Sequence, residues 1–308
     1  MDTSFGLGTF AQDAGDRFPG LVLDDRVRDL RDVAESVWEL LQNWDEVLPA
    51  LHRIAAGPGP WRATEGLRVC APLEPGQVIQ AGANYRTHVI DLAVRHSPGR
   101  DADEVRAETA EMMDRRAATG EPYLFVGLPS AITGPHDDVT LPAYSDQHDW
   151  ELELAVVIGR EAFRVDRAHA LEHVAGYTIA NDLTTRDLVF RRDMPELGAD
   201  WFRSKNAPGF TPLGPWLVPA EFVSEDPRIT LRLNGEVMQD ESTKDMIFNV
   251  AALVSAASHT TPLRPGDVVL TGSPAGNGFH HGRLLRAGDV MEGTITGLGT
   301  QRTRCVAP

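Results

Sequence analysis

Apolar and polar positions change their period along the chain, and the changes divide it into three regions. Over residues 27–41 and 44–54 apolar residues recur at three- and four-residue intervals, the period of a helix with one buried face, so two helices are expected there. The stretch AAGPGPW (55–61) then carries two Gly-Pro dipeptides, which interrupt regular structure and mark a first boundary. The reading is a small α+β unit over 1–72 followed by a larger body over 73–308. VIQAGANY reads as a buried strand running into a loop. From 87 to 119 the sequence is charged and poor in apolar residues, with a helical pattern broken by HSPGR. That composition suits a mobile helical cover over 86–120 better than a core element.

From Tyr123 onward the period shortens. Apolar runs of four to eight residues recur between Gly, Pro and Asn: ELAVVIG, VAGYTIA, ITLRLNG, DVVLTG and DVMEGTI. Such runs predict a β-rich body. Three strand entries, LEPGQVI at Leu73, LRPGDVV at Leu263 and LRAGDVM at Leu285, share one turn chemistry, and Pro-Gly sets a type II turn in the first two. Nothing else in their flanks matches, so they are not a repeat. Two helices are expected among the strands, LTTRDLVFRR after Asp182 and FNVAALVSAASH after Ile247.

Composition narrows the functional classes. The 308 residues are 42% hydrophobic, enough for a large core, and 29 Lys+Arg against 45 Asp+Glu give a net charge of −16. That surface repels phosphate backbones and excludes a nucleic-acid footprint. No apolar stretch approaches the roughly 18 residues of a spanning helix. The opening MDTSFGLGTFAQDAGDRF lacks the basic and apolar regions of a signal peptide, so a cytoplasmic protein without membrane partners is expected. Cys70 and Cys305 are too few for a disulfide framework or a thiolate zinc site, so any metal would need oxygen or imidazole ligands.

Several residues have the right type for chemistry. In HDWELELAVVIG, Glu151 and Glu153 stand two apart on a strand and therefore share a face, where they repel unless protonated, solvated or bridged by a cation. An exposed strand face is the alternative. Asp182 closes VAGYTIAND, either as a helix N-cap or as the third carboxylate of an oxygen site suited to Mg²⁺ or Mn²⁺ rather than zinc. His88 and Asp91 in NYRTHVIDLA stand one helical turn apart, which lets a carboxylate orient a general base, although such pairs also arise by chance. Arg186 and Lys205 taken alone are ordinary solvated cations. LTGSPAGNG lacks the spacing of a nucleotide-binding loop but offers backbone N–H groups and Ser273 to a carboxylate. His280 and His281 read as surface-loop residues.

Taken in order, GANYRTH, HDWELELAVVIGR, VAGYTIANDLTTRD, FRSKNAPGFTPLGPW, LNGEVMQDESTKDMIF and LRPGDVVLTGSPAG resemble the fumarylacetoacetate hydrolase family. The FGLGTF opening is similar to the small N-terminal unit of its longer members. The resemblance implies an α+β protein whose body is a mixed β-roll, sandwich-like, and a homodimer. It implies a divalent metal, Mg²⁺ or Mn²⁺ with Ca²⁺ as a further option, held by Glu151, Glu153 and Asp182. It places catalytic roles on His88, Asp91 and Lys205 and substrate binding on Tyr85, Arg186 and Ser273.

The implied activity is metal-dependent hydrolysis of a carbon-carbon bond in a β-diketone or acylpyruvate-type 2-oxo acid. His88, oriented by Asp91, draws a proton from water, and Lys205 and Arg186 stabilise the departing enolate. Decarboxylation, hydration and isomerisation run on the same enolate logic, so the family does not fix the reaction. Three positions depart from its pattern: Asp91 replaces a glutamate, Gly127 a lysine and Val189 a glutamine. Loss of two polar contacts points to a bulkier or more apolar acyl group.

Overall fold

The computed structural model describes residues 4–12 and 16–308. The N-terminal part builds strands β1 (Gly6–Ala11), β2 (Arg17–Leu23) and β3 (Arg26–Asp29), helices α1 (Val37–Gln42) and α2 (Trp44–Ala56), then strands β4 (Arg62–Ala63) and β5 (Arg68–Cys70). The strands form one antiparallel sheet in the order β4-β3-β2-β1-β5. The helix expected over 27–41 is therefore a strand followed by a short helix. Val27 is buried against β2, with Val22 opposite Val27 in the register, and helix begins only where Ser36 caps it by accepting from the Glu39 N–H. Cross-strand pairing overrides a fortuitous helical spacing. The helix expected over 44–54 forms as α2.

The larger body contains β6 (Val78–Gly82), α3 (Arg86–Arg95), α4 (Ala102–Thr119), β7 (Tyr123–Gly127), β8 (Val139–Thr140), β9 (Leu152–Ile158) and β10 (Val174–Asn181). After these come α5 (Trp201–Lys205), β11 (Val218–Pro219), β12 (Arg228–Leu233), β13 (Glu236–Ser242), α6 (Val250–Thr260), β14 (Val268–Leu270), α7 (Gly278–His281), β15 (Val290–Ile295) and β16 (Gly299–Val306). A six-stranded mixed sheet runs β11-β10-β9-β14-β6-β7, and a five-stranded sheet runs β13-β12-β15-β16-β8. Within these two sheets β14 with β6 and β16 with β8 pair in parallel.

Strand β9 organises the core because every one of its residues is buried. Leu152 and Leu154 join Ile229, Leu231 and Met291 of the five-stranded sheet, while Val156 and Ile158 pack with Leu253 and Val254 of α6. On the opposite face Ala155 and Val157 share a cluster with Leu40, Leu41 and Leu51 of α1 and α2. The N-terminal sheet is fastened to the body, since Leu7 and Leu217 exchange two backbone hydrogen bonds of 2.8 Å. Where β10 meets β11, a Cβ on Gly176 would lie 2.1 Å from the carbonyl oxygen of Val218. Gly176→Ala is therefore expected to cost about 1–3 kcal/mol through backbone displacement. Urea unfolding of the variant would show it, and an unchanged midpoint would contradict this strand pairing.

The segment after Asp182 is not the expected helix. Thr184 and Thr185 pair with His148 and Asp149, and the Arg186 N–H donates to the Gln147 carbonyl at 2.8 Å. The chain thus continues as an extended partner of the β9 approach before a single 3₁₀ turn at Arg186–Leu188. Two successive β-branched threonines favour that extended course.

Candidate active site

Antiparallel pairing brings the carboxylates together. Glu151 immediately precedes β9 and Glu153 lies within it, while Leu152 faces Asn181 and Glu153 faces Ala180 across the β9–β10 register. Asp182 follows β10 directly, and its N–H donates to the Glu151 carbonyl at 2.8 Å. One carboxylate oxygen from each of Glu151, Glu153 and Asp182 falls within 4.8 Å of the other two. Glu153 is 2% exposed and Asp182 1%. Burial eliminates the exposed-strand alternative, and the extended chain after Asp182 eliminates the N-cap alternative. Glu153 Oε2 accepts from the Gly272 N–H at 2.7 Å, and Asp182 Oδ1 accepts from Gln80 Nε2 at 2.8 Å.

Two cations penetrate the cluster. Lys205 ends α5, whose first turn is capped by Asp200, and its ammonium donates to Glu151 Oε2 at 2.8 Å, Asp182 Oδ2 at 2.5 Å and Thr184 Oγ1 at 2.8 Å. Arg186 donates through Nε to Asp149 Oδ2 at 2.7 Å and places Nη2 2.7 Å from Glu151 Oε1. Asp149 is fully buried and also accepts from the N–H groups of Trp150 (2.8 Å), Gly278 (2.5 Å) and Phe279 (2.9 Å).

With all groups ionised, Asp149, Glu151, Glu153 and Asp182 carry four negative charges against the two positive charges of Lys205 and Arg186, so the cluster is short of two positive charges. Its protonation shows the same deficit. Burial, with Asp182 and Glu151 beside it, raises the Glu153 carboxyl well above the usual range, and burial with Glu151 raises Asp182 to about 6. Burial also pushes Glu151 upward, but Lys205 and Arg186 outweigh it and hold that carboxyl at about 2. A buried, all-oxygen donor set lacking two positive charges fits a hard divalent cation such as Mg²⁺ or Mn²⁺.

His88 reaches this region from α3. It is buried, its Nδ1 has no hydrogen-bond partner, and burial lowers its pKa to about 4, with Glu151 and Asp91 opposing. It is therefore a neutral imidazole at pH 7. Asp91, expected to orient it, makes no hydrogen bond to it among the described residues. The carboxylate instead accepts from Arg106 Nη1 of α4 at 3.0 Å and lies 3.8 Å from His280 Nε2. The shorter aspartate arm and the facing α4 cation direct Asp91 away from the imidazole.

Tyr85, expected at the substrate, is enclosed in the core with Trp150 and Leu154, and burial raises its phenol above the ordinary range. Ser273 lines the cavity and accepts from Gln239 Nε2 at 2.8 Å. His281 hydrogen-bonds the Met238 carbonyl at 3.1 Å, while its neighbour Phe279 faces the cavity.

The cavity holds about 490 Å³, and Glu151, Glu153, Lys205, Arg186, His88 and Ser273 form its polar wall. Asp149, Gln80 and Thr184 belong to the site although the sequence pattern assigns them no role. Asp149 continues the same two-residue alternation as Glu151 and Glu153, and Gln80 is a lone carboxamide in a buried strand, so both signals were present. Gly127 proves to be space for Gln80, since a Cβ there would meet the carboxamide at 3.0 Å.

Residues 77–306 match the family model for the fumarylacetoacetate (FAA) hydrolase C-terminal domain. The human protein named oxaloacetate tautomerase FAHD2B, mitochondrial, is 41% identical over 271 residues, covering 86% of this chain and 78% of that protein. The 2,4-didehydro-3-deoxy-L-rhamnonate hydrolase of Sphingomonas sp. (strain SKA58) is 37% identical over 234 residues, 74% of this chain and 72% of its own. Among solved structures, the fumarylacetoacetate hydrolase of psychrophilic Exiguobacterium antarcticum superimposes with a TM-score of 0.78 at 30% identity, covering 99% of this chain and 100% of that one. With the mixed sheets and the carboxylate cluster in the same molecule, these matches establish that the chain belongs to the fumarylacetoacetate hydrolase family.

Proposed function

We propose that the protein is a divalent-metal-dependent hydrolase that cleaves a carbon-carbon bond in an acylpyruvate-type 2-oxo acid or β-diketone. The observation that carries this reading is the buried triad Glu151, Glu153 and Asp182, which with Asp149 leaves the cluster short of two positive charges, in a cavity that also holds a neutral histidine. A bound Mg²⁺ or Mn²⁺ supplies Lewis-acid polarisation of the substrate carbonyls. His88 takes a proton from water, whose hydroxide oxygen bonds to the acyl carbonyl carbon. The bond from that carbon to the neighbouring methylene then breaks, its electron pair becomes the enolate of the 2-oxo acid, and a proton returns to carbon. Lys205 and Arg186 stabilise the enolate charge, and Asp149 fixes the guanidinium that does so.

We place this enzyme in the cytoplasm as a homodimer; exposed Phe190, Leu197 and Phe202 on and beside the 190–199 loop support a self-association surface. No helix among the described residues is long and apolar enough to cross a membrane. The N-terminal sheet with α1 and α2 is read as a bracing domain over 1–72, and α3 with α4 as the cover. A second reading, a tautomerase or isomerase acting through the same enolate, is favoured by the name of the human relative.

Ultraviolet absorbance of the enol form of acylpyruvates tests the choice. Loss of absorbance that requires Mg²⁺ or Mn²⁺, stops with chelator and yields two acids is expected. Conversion without a change of mass selects the tautomerase or isomerase, and carbon dioxide release selects a decarboxylase.

A further inference from the structure

The two walls of the cavity differ in chemistry. Opposite the charged groups, Leu92, Phe125, Val189, Phe190, Trp201 and Phe279 present an apolar lining. Phe125 and Trp201 stack with centroids 4.7 Å apart and an interplanar angle of 17°, and the Trp201 indole N–H donates to the Tyr123 hydroxyl at 2.8 Å, which fixes the ring. The Lys205 ammonium stands 5.8 Å from the Phe125 ring and 5.5 Å from that of Trp201, so the aromatic pair adjoins the polar wall directly.

The permanent cations of the lining, Lys205 and Arg186, are both committed to carboxylates. His88 is neutral, His96 is exposed at the rim, and Arg191 beside Phe190 pairs with Asp193. A second carboxylate at the far end of a substrate would lose its hydration without gaining a partner. An aryl or branched-alkyl group there would gain buried apolar area and a stacking face.

We propose that the enzyme selects 2-oxo acids with an aryl or branched apolar tail over those whose tail ends in a carboxylate, and that Phe125 and Trp201 determine this specificity. The inference rests on the 2-oxo acid reading above and adds the chemistry of the tail.

Calorimetric titration of the Mg²⁺-loaded protein with phenylpyruvate and with 2-oxoglutarate, two 2-oxo acids of opposite tail chemistry, tests it without turnover. Phenylpyruvate is expected to bind at least tenfold more tightly. Trp201→Ala should remove most of that preference by weakening phenylpyruvate. Leu92→Arg, which adds a cation to the apolar wall on an unrelated element, should improve 2-oxoglutarate binding about tenfold. Equal or tighter binding of 2-oxoglutarate to the unmodified protein overturns the tail assignment while leaving the 2-oxo acid reading intact. Mg²⁺ binding with no affinity for either acid overturns both.

Discussion

Glu153→Gln is expected to abolish turnover and to weaken Mn²⁺ binding by at least a hundredfold, with the fold retained. Glutamine keeps the volume of the side chain and an oxygen that can accept from the Gly272 N–H, now at 2.7 Å from Glu153 Oε2. It removes one ligand from a buried group of four carboxylates that has only two cations for company. In the metal-free protein, burial and the acidic neighbours already push the Glu153 carboxyl well upward toward its neutral form, so a neutral amide costs little there and the melting temperature should not fall. With the cation the order reverses. A ligand that binds only the native state stabilises it by about 2.7 kcal/mol at a hundred times its dissociation constant. Mn²⁺ should therefore raise the melting temperature of the unmodified protein and leave that of the variant nearly unchanged. Paired scans with and without Mn²⁺, together with turnover, decide the matter; equal Mn²⁺ stabilisation of both proteins would remove Glu153 from the ligand set.

The same carboxylates show what a sequence can and cannot convey. The run HDWELELAVVIG was readable because acidic residues at every second position of an otherwise apolar strand have few structural uses, and the fold does bury them on one face. Glu151 and Glu153 were local neighbours whatever the fold. Asp182 was not, since its approach depends on a register that pairs Leu152 with Asn181; the sequence leaves it open between an N-cap and a third carboxylate, and the resemblance to a family favours the second. The segment LTTRDLVFRR after Asp182 departs from the helix its spacing predicts because helical spacing and an extended threonine pair compete in the same residues, and the backbone bonds from Asp182 to Glu151 and from Arg186 to Gln147 decide in favour of extension. The error over 27–41 has the same origin, a partner strand that the local pattern does not contain.

Side-chain direction was the least legible property. His88 and Asp91 have the spacing of a dyad, yet Arg106, fifteen residues further along, captures the carboxylate. Gly127 looked like a lost polar contact and is instead the space that lets Gln80 reach Asp182. In both cases the outcome depends on a residue from another element, at a separation where no periodicity links the two.

His88→Asn carries the second large effect. A positioned general base contributes about 10²–10⁴-fold to rate, so turnover should fall by that factor while Mn²⁺ binding persists, because His88 is outside the carboxylate triad. Its pKa near 4 makes a further demand. In the unfolded chain this imidazole takes up a proton below about 6.5, whereas the native state refuses it until about 4. The unfolded state thus binds more protons throughout that window, and stability declines as pH falls across it. One such residue accounts for about 3 kcal/mol of the decline. Asparagine does not titrate, so the variant should lose less stability than the unmodified protein between pH 6.5 and 4, with the carboxylate contributions common to both. Denaturant titrations of the two proteins at several pH values read the difference directly. Parallel stability curves would mean that His88 titrates in the native state as it does in the unfolded chain, which would overturn its burial as a permanently neutral imidazole.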